Sequence, residues 1–188
     1  MTKITIRPAN LSDASLMARV IVDTWLEAHR GQIPDAQWQM RKRNWTYEVS
    51  ERGWRELLTD INVGTNTTMS VFVAADNHER VVGLAVVQSA SLKLLTNAAE
   101  ISALYIASEW QGAGVGRRLV REVAAHQIKL GFESLIISVL KTNHAARRFY
   151  EALGGNIVGS HETEDEGFKE PQIVYGWSEI KLLLEGSP

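Results

Sequence analysis

The segment Gln111–Gly116 reads QGAGVG and lies between two apolar stretches of different pattern. Before it, EISALYI at residues 100–106 is typical of a β-strand, and after it Val115, Leu119 and Val123 recur at helical spacing. A glycine-rich turn from a strand into a helix is typical of anion sites, because the first helical turn has unpaired N–H groups and the positive end of the helix dipole. The same glycines are also compatible with a plain tight turn.

Three arginines, Arg117, Arg118 and Arg121, follow in the first turns of this helix. Positive charge is unfavourable at a helix N-terminus, so an anionic ligand would explain them. Two phosphate-binding patterns are excluded. The dinucleotide pattern that begins at Gly112 has Arg117 in place of its last glycine, and the Gly-Lys-Ser/Thr tripeptide of the P-loop is missing.

Composition limits the class of protein. The chain has 188 residues, 45% hydrophobic and 22% charged, which predicts a single domain over residues 1–188. The formal net charge of −2 provides no basic surface for a nucleic-acid partner. There is no apolar run of the ~18 residues that would predict a membrane partner, and no signal-peptide core. The chain has no cysteine, which excludes a cysteinyl thioester and, with the other features, favours a cytoplasmic location.

The apolar patterns predict an alternation of strands and helices. We expect a strand at 3–7, a first helix that ends near residue 30, and two more helices at 35–43 and 47–58. A hairpin of strands 70–75 and 81–88 and a strand at 100–106 should follow. The rest of the chain should form a helix that ends near residue 130, a strand at 134–140, a helix at 143–153, and strands 156–161 and 172–177 joined by an acidic loop. This order predicts an α/β fold with a mixed, mostly antiparallel central sheet of about six to seven strands, flanked by helices on both faces.

Two motifs on neighbouring elements carry a resemblance to a known family. Gln111, Gly114 and Gly116 match the pattern Gln/Arg-x-x-Gly-x-Gly/Ala, and NHAARRFYEALGG at Asn143–Gly155 matches Asn-x-x-Ala-x-x-Phe-Tyr-Glu-x-x-Gly. Together they resemble the GNAT superfamily of acyl-CoA N-acyltransferases, and the element order resembles the GNAT fold over nearly the whole chain. The resemblance implies transfer of the acetyl group of acetyl-CoA to a primary amine, by direct attack in a ternary complex.

The resemblance also implies a set of residues that bind acetyl-CoA. The pyrophosphate would be held by backbone N–H groups of the glycine turn. Ile106 would hydrogen-bond the pantetheine arm, as would Asn143, for which a plain helix cap is the alternative. The predicted cosubstrate-binding residues are Leu104, Ile106, Gln111, Gly112, Gly114, Val115, Gly116, Arg117, Asn143, Arg147 and Tyr150.

Three residues are predicted to be catalytic. The backbone N–H of Leu104 would polarise the thioester carbonyl. Tyr150 would donate a proton to the departing sulfur, or else be a packing residue. Glu100 would accept the proton of the amine, or else be a solvated carboxylate. The first predicted helix offers other candidate bases, which are His29, Glu27 and Asp23.

The acceptor side is less constrained by the sequence. The family resemblance places it beside Trp25, His29, Gln32, Ile33 and Trp38. The acidic residues Glu162, Glu164, Asp165 and Glu166 would attract a cationic amine, or are solvated surface.

Three further expectations concern partners. The five histidines show no metal-ligand spacing, so no metal is expected. The segment Tyr175–Trp177 resembles a last strand that contributes to a homodimer in the family. A non-catalytic acyl-CoA sensor or interaction domain is the alternative function, and the presence of both Glu100 and Tyr150 argues against it.

Overall fold

Seven strands and five α-helices make up the part of the chain that the computed structural model describes, residues 3–165 and 167–185. The strands are β1 (Thr5–Pro8), β2 (Met69–Ala75), β3 (Val81–Ser89), β4 (Ala98–Ile106), β5 (Ser134–Leu140), β6 (Asn156–Asp165) and β7 (Phe168–Trp177). The helices are α1 (Ala14–His29), α2 (Asp35–Asn44), α3 (Tyr47–Asn62), α4 (Val115–Lys129) and α5 (His144–Ala152).

The strands form one sheet in the order β1-β2-β3-β4-β5-β7-β6. Of the strand pairs in the described residues, β4 and β5 are parallel and the others antiparallel. The largest hydrophobic cluster lies against α4 and includes Leu119 and Val123. A second lies against α1 and α3 and includes Met17 and Leu58, and a small third one includes Ile136 and Val174. The predicted mixed, mostly antiparallel sheet with helices on both faces is therefore confirmed.

The neighbouring strands β4 and β5 separate halfway along their length. They pair only over Ala98–Ile101, opposite Ser134–Ile137. Beyond this point β4 continues to Ile106 beside β3, while β5 continues beside β7. A bulge at Ser102, where the register with β3 shifts by one residue, bends β4 at the point of separation. The result is an opening in the middle of the sheet.

The last two strands correct a prediction. The acidic segment expected to be a loop is strand instead, because β6 runs to Asp165 and pairs Thr163 with Glu170 and Glu162 with Pro171. Polar residues occupy both faces of this hairpin, so the apolar alternation that indicates a strand is missing. The hairpin extends over the opening between β4 and β5.

Among residues 3–165 and 167–185, no helix is long and apolar enough to cross a membrane. No group of three or more metal-ligating side chains was found in the same residues.

Candidate active site

A cavity of about 690 Å³ occupies the opening between β4 and β5. The C-terminal end of α1 and the β6–β7 hairpin border it on one side of the sheet, and the glycine turn and α5 border it on the other. Since the two motifs quoted above meet at this cavity, it is the candidate site.

The backbone of β4 presents unpaired groups to this cavity. The N–H of Ala107 donates to the carbonyl of Val82 on β3 at 2.9 Å. In an antiparallel pair alternate residues face the partner strand, so Tyr105 also faces β3, while Leu104 and Ile106 face away from it. On that side β5 has already diverged. The N–H groups of Leu104 and Ile106 are therefore directed into the cavity.

The glycine turn is built to expose backbone N–H groups. Gly112 and Gly114 have φ of +72° and +80°, and a methyl group at either position would meet no atom within 4 Å. Gly114 caps α4, and the first helical hydrogen bond runs from the N–H of Arg118 to the carbonyl of Gly114 at 3.1 Å. The N–H groups of Val115, Gly116 and Arg117 consequently have no partner within the helix. The turn can therefore bind an anion.

Of the three arginines that follow the turn, only Arg117 lines the cavity. Arg118 donates to the carbonyl of Ile4 at 2.7 Å, and Arg121 donates to that of Leu184 at 2.6 Å. Helical geometry turns Arg118 by about 100° from Arg117, towards the adjacent edge of the sheet. The interpretation of Arg118 and Arg121 as anion-binding residues is therefore wrong.

Two amides from the motifs also reach the cavity. Gln111 donates from Nε2 to the carbonyl of Ile106 at 2.9 Å, which ties the glycine turn to the end of β4. Asn143 accepts a hydrogen bond from the N–H of Ala146 at 3.1 Å, so it caps α5. Both line the cavity, and the capping role of Asn143 leaves its amide NH₂ for a ligand.

Tyr150 on α5 faces the cavity from the core side. The residue is 6% exposed and packs against Phe149, Tyr175 and Trp177. Burial raises the pKa of its hydroxyl, and the neighbouring Tyr105 adds to this effect. The hydroxyl therefore stays protonated throughout the neutral range and is available as a donor.

Arg147 and Glu100 do not line the cavity. Arg147 donates to the hydroxyl of Tyr175 at 3.2 Å and to the carbonyl of Lys141 at 3.1 Å, which holds α5 against β7. The carboxylate of Glu100 lies where β4 and β5 still pair, and it accepts hydrogen bonds from the N–H and hydroxyl of Ser91. Direct contact of either side chain with a ligand in the cavity therefore has no support in the geometry.

The cavity is also lined by Trp25 and His29 of α1, which the sequence analysis named, and by Glu170 of β7, which it did not. Trp38 lies at a separate surface pocket. Glu166 is outside the described residues. Glu170 carried no sequence signal, because it reaches the cavity only through the register of the β6–β7 hairpin.

A partly buried polar network supports Glu170. Gln37 of α2 is fully buried and donates to Glu170 at 2.6 Å and to Asp165 at 3.2 Å. Arg41 pairs with Asp165 at 2.7 Å. Burial raises the pKa of the Glu170 carboxyl, opposed by the hydrogen bond from Gln37. Asp165 is thus a structural ion-pair partner and does not line the cavity, whereas Glu170 does.

Comparison with known proteins agrees with this geometry. The Acetyltransferase (GNAT) family matches residues 35–155. The chain is 26% identical over 180 residues to the uncharacterized N-acetyltransferase YuaI of Bacillus subtilis, with 96% of each chain covered. The chain therefore belongs to the GNAT family of acetyltransferases, and the predicted enzyme class, an acetyl-CoA-dependent acyltransferase, is confirmed.

Solved structures share the fold. The PaiA N-acetyltransferase of Thermoplasma acidophilum, in complex with coenzyme A, superimposes with a TM-score of 0.68 at 18% identity and covers 93% of this chain and 99% of its own. YncA of Salmonella typhimurium, with its cofactor acetyl-CoA, superimposes with a TM-score of 0.66 at 15% identity, and the match covers 95% of this chain and 94% of its own.

Proposed function

We propose that this enzyme transfers the acetyl group of acetyl-CoA to a primary amine by direct attack in a ternary complex. One observation carries the proposal. The unpaired N–H groups of Leu104 and Ile106 lie in one cavity with the glycine turn and the Tyr150 side chain. An anion-binding turn, an oxyanion donor and a proton donor are the groups needed on the donor side, to bind the pyrophosphate of acetyl-CoA, polarise its thioester and protonate the departing sulfur.

The residues present fit CoA. The N–H groups of Val115, Gly116 and Arg117, at the positive end of α4, would bind the pyrophosphate, with the Arg117 side chain beside them. Gly112 and Gly114 leave the space next to the turn free of side chains. The N–H of Ile106 and the amide of Asn143 would hydrogen-bond the pantetheine arm. Gln111 fixes the turn against β4 and so positions the two groups of donors relative to each other.

Acetyl-CoA supplies an activated thioester whose carbonyl carbon the amine attacks, with release of the CoA thiol. Leu104 would donate its N–H to the carbonyl oxygen, where negative charge develops. Such a donor, fixed in a site that excludes water, typically accounts for about 10²–10³ in turnover. Tyr150 would donate its hydroxyl proton towards the sulfur as the bond to it breaks.

The acceptor amine must lose a proton before it can attack. An amine with a pKa of ~10.4 is only about one part in 10³ free base at pH 7, a deficit of roughly 4–5 kcal/mol. Glu100, predicted as the base, is outside the cavity lining and would act only through intervening water.

A homodimer and a cytoplasmic location, both expected from the sequence, stay predictions. Sedimentation equilibrium would test the first.

Thermal unfolding tests the proposed cosubstrate site. Acetyl-CoA or CoA at about 100 times its dissociation constant should add ~2.7 kcal/mol of stability. For a chain of this size the midpoint should rise by roughly 5–10 °C. NAD and ATP are the controls and should give no comparable shift, because the turn lacks both of their sequence patterns. A midpoint that does not move with either CoA species would contradict the proposal.

A further inference from the structure

We propose that His29, at the C-terminal end of α1, is the general base that accepts the proton of the acceptor amine through its Nε2 atom. The inference rests on the proposed function and identifies the group that the proposal leaves open. It is carried by the position, orientation and surroundings of the imidazole.

The imidazole of His29 is held in one orientation. Its ring stacks on Trp25 with centroids 4.3 Å apart and an interplanar angle of 12°. Its Nδ1 lies 2.8 Å from the carbonyl oxygen of Trp25, one helical turn earlier. A carbonyl can only accept, so Nδ1 carries the proton and donates it. In the neutral ring this leaves Nε2 with a free lone pair. His29 lines the cavity, and the proposal places that lone pair within reach of a substrate.

Burial is the main reason that His29 is neutral. Arg41 of α2 and Asp165 of β6 have opposite electrostatic effects on the pKa of the ring, and Glu170 of β7 and Tyr105 of β4 line the same cavity. Burial lowers the pKa of His29, Arg41 lowers it further, and the Trp25 carbonyl and Asp165 partly oppose them. Its pKa is below the usual 6.5, so the ring is a free base at neutral pH.

The other ionisable groups of the cavity are less suited to the task. Burial raises the pKa of Tyr105 to about 12 and keeps Tyr150 protonated, so both hydroxyls are donors. Glu170 accepts a hydrogen bond from Gln37 at 2.6 Å. A base is most effective when its pKa lies near the working pH. Burial raises the pKa of Glu170 towards that range, but its carboxylate is already engaged by Gln37, which favours the imidazole. The negative charge of Glu170 would instead attract the incoming ammonium group.

The proton balance of the reaction requires two transfers. The ammonium form of the acceptor gives one proton to Nε2 of His29, which releases it to solvent. The freed lone pair forms the bond from nitrogen to the carbonyl carbon, and the bond from that carbon to sulfur breaks. The nitrogen then loses its second proton, and the CoA sulfur gains one from Tyr150, whose hydroxyl is restored by the nitrogen's proton. The sum is an amide, free CoA thiol and one proton in solution.

The pH dependence of His29→Gln distinguishes this role from a structural one. The assay uses acetyl-CoA with whichever of butylamine, 1,5-diaminopentane and lysine amide the wild type acetylates fastest. At pH 7 we expect kcat/KM for the amine to fall at least tenfold, because a positioned base contributes about 10²–10⁴. Between pH 7 and 9 the difference should shrink, since the free-base fraction of the amine rises about a hundredfold. The wild-type rate should instead level off above the pKa of His29.

A matched control and a readout independent of turnover complete the test. His126 is also a partly buried histidine of lowered pKa, but it bonds Ser70 and lies outside the cavity lining, so His126→Gln should keep the wild-type profile. In ¹⁵N-labelled protein without acceptor, NMR should show Nδ1 of His29 protonated, Nε2 bare, and a titration below pH 6.5. The CoA-induced rise in unfolding midpoint should be the same in His29→Gln as in the wild type.

Three outcomes would overturn the inference. The first is a pH profile of kcat/KM in His29→Gln that matches the wild type. The second is an NMR spectrum in which Nε2 of His29 carries the proton and Nδ1 does not. The third is a Glu100→Gln variant whose kcat/KM no longer falls at low pH. A wild type that acetylates no amine would contradict the proposed function instead, while the NMR result would still test the state of His29.

Discussion

Tyr150→Phe is expected to lower kcat at least tenfold and to leave the affinity for CoA unchanged. The substitution removes only a hydroxyl, and the ring keeps its contacts with Phe149, Tyr175 and Trp177. Because burial raises the pKa of the phenol, the group is protonated at every pH at which the enzyme would work, and its loss should lower the rate across the whole range. Steady-state kinetics with saturating acetyl-CoA, together with calorimetric titration of CoA, would measure both effects.

Tyr47→Phe is the matched control, because it removes a hydroxyl that bonds Asp23 outside the cavity lining. It should change neither kcat nor CoA affinity. An undiminished kcat in Tyr150→Phe would refute the role of Tyr150 as proton donor. A parallel loss of CoA affinity would show that the hydroxyl contributes to binding.

Gly114→Ala is expected to raise the dissociation constant for CoA at least tenfold, or about 1.4 kcal/mol. Gly114 has φ of +80° at the N-terminus of α4, a conformation that costs an L-residue about 1–2 kcal/mol. To relieve this strain the turn must rotate, which redirects the N–H groups of Val115 and Gly116. Without rotation, the new methyl group occupies space beside the proposed pyrophosphate site. Either response weakens anion binding.

Gly131→Ala controls for the strain alone. Gly131 follows the C-terminal end of the same helix, has φ of +91°, and likewise has no atom within 4 Å of an added methyl group. Both variants should lose similar stability in chemical denaturation, but only Gly114→Ala should lose CoA affinity. Equal CoA affinities in the two variants would show that the glycine turn does not bind the pyrophosphate.

The sequence predicts the elements that have strong local signals. Strand β5 was expected at 134–140 and lies there, because a continuous apolar run between a glycine and polar residues has few alternatives. The glycine turn and the cap at Asn143 are likewise local patterns. The two motifs therefore locate the proposed CoA-binding half of the site.

The proposed acceptor half was predicted only in part, because the family resemblance named Trp25 and His29 but nothing pointed to Glu170. Glu170 and His29 are far apart in the chain and reach one cavity through the register of β7 and the packing of α1. The strand pair of the β6–β7 hairpin was predicted, but its distal part was expected to be an acidic loop, because polar residues occupy both faces and its partners Gln37 and Arg41 come from α2. Glu100 matched the spacing of a glutamate base in the family, but its carboxylate accepts hydrogen bonds from Ser91 in the loop between β3 and β4. These contacts depend on tertiary structure, which no local motif encodes.

The most direct test of the account is the release of free thiol from acetyl-CoA as a function of added amine. The chain has no cysteine, so the protein contributes no background to a thiol reagent. An N-acetyltransferase should release thiol in proportion to acetylated amine across a panel of alkyl amines, diamines and lysine amides, with little release when the amine is omitted. Protein whose unfolding midpoint rises with CoA, but which releases no thiol with any amine, would contradict the account and identify the domain as a CoA-binding sensor.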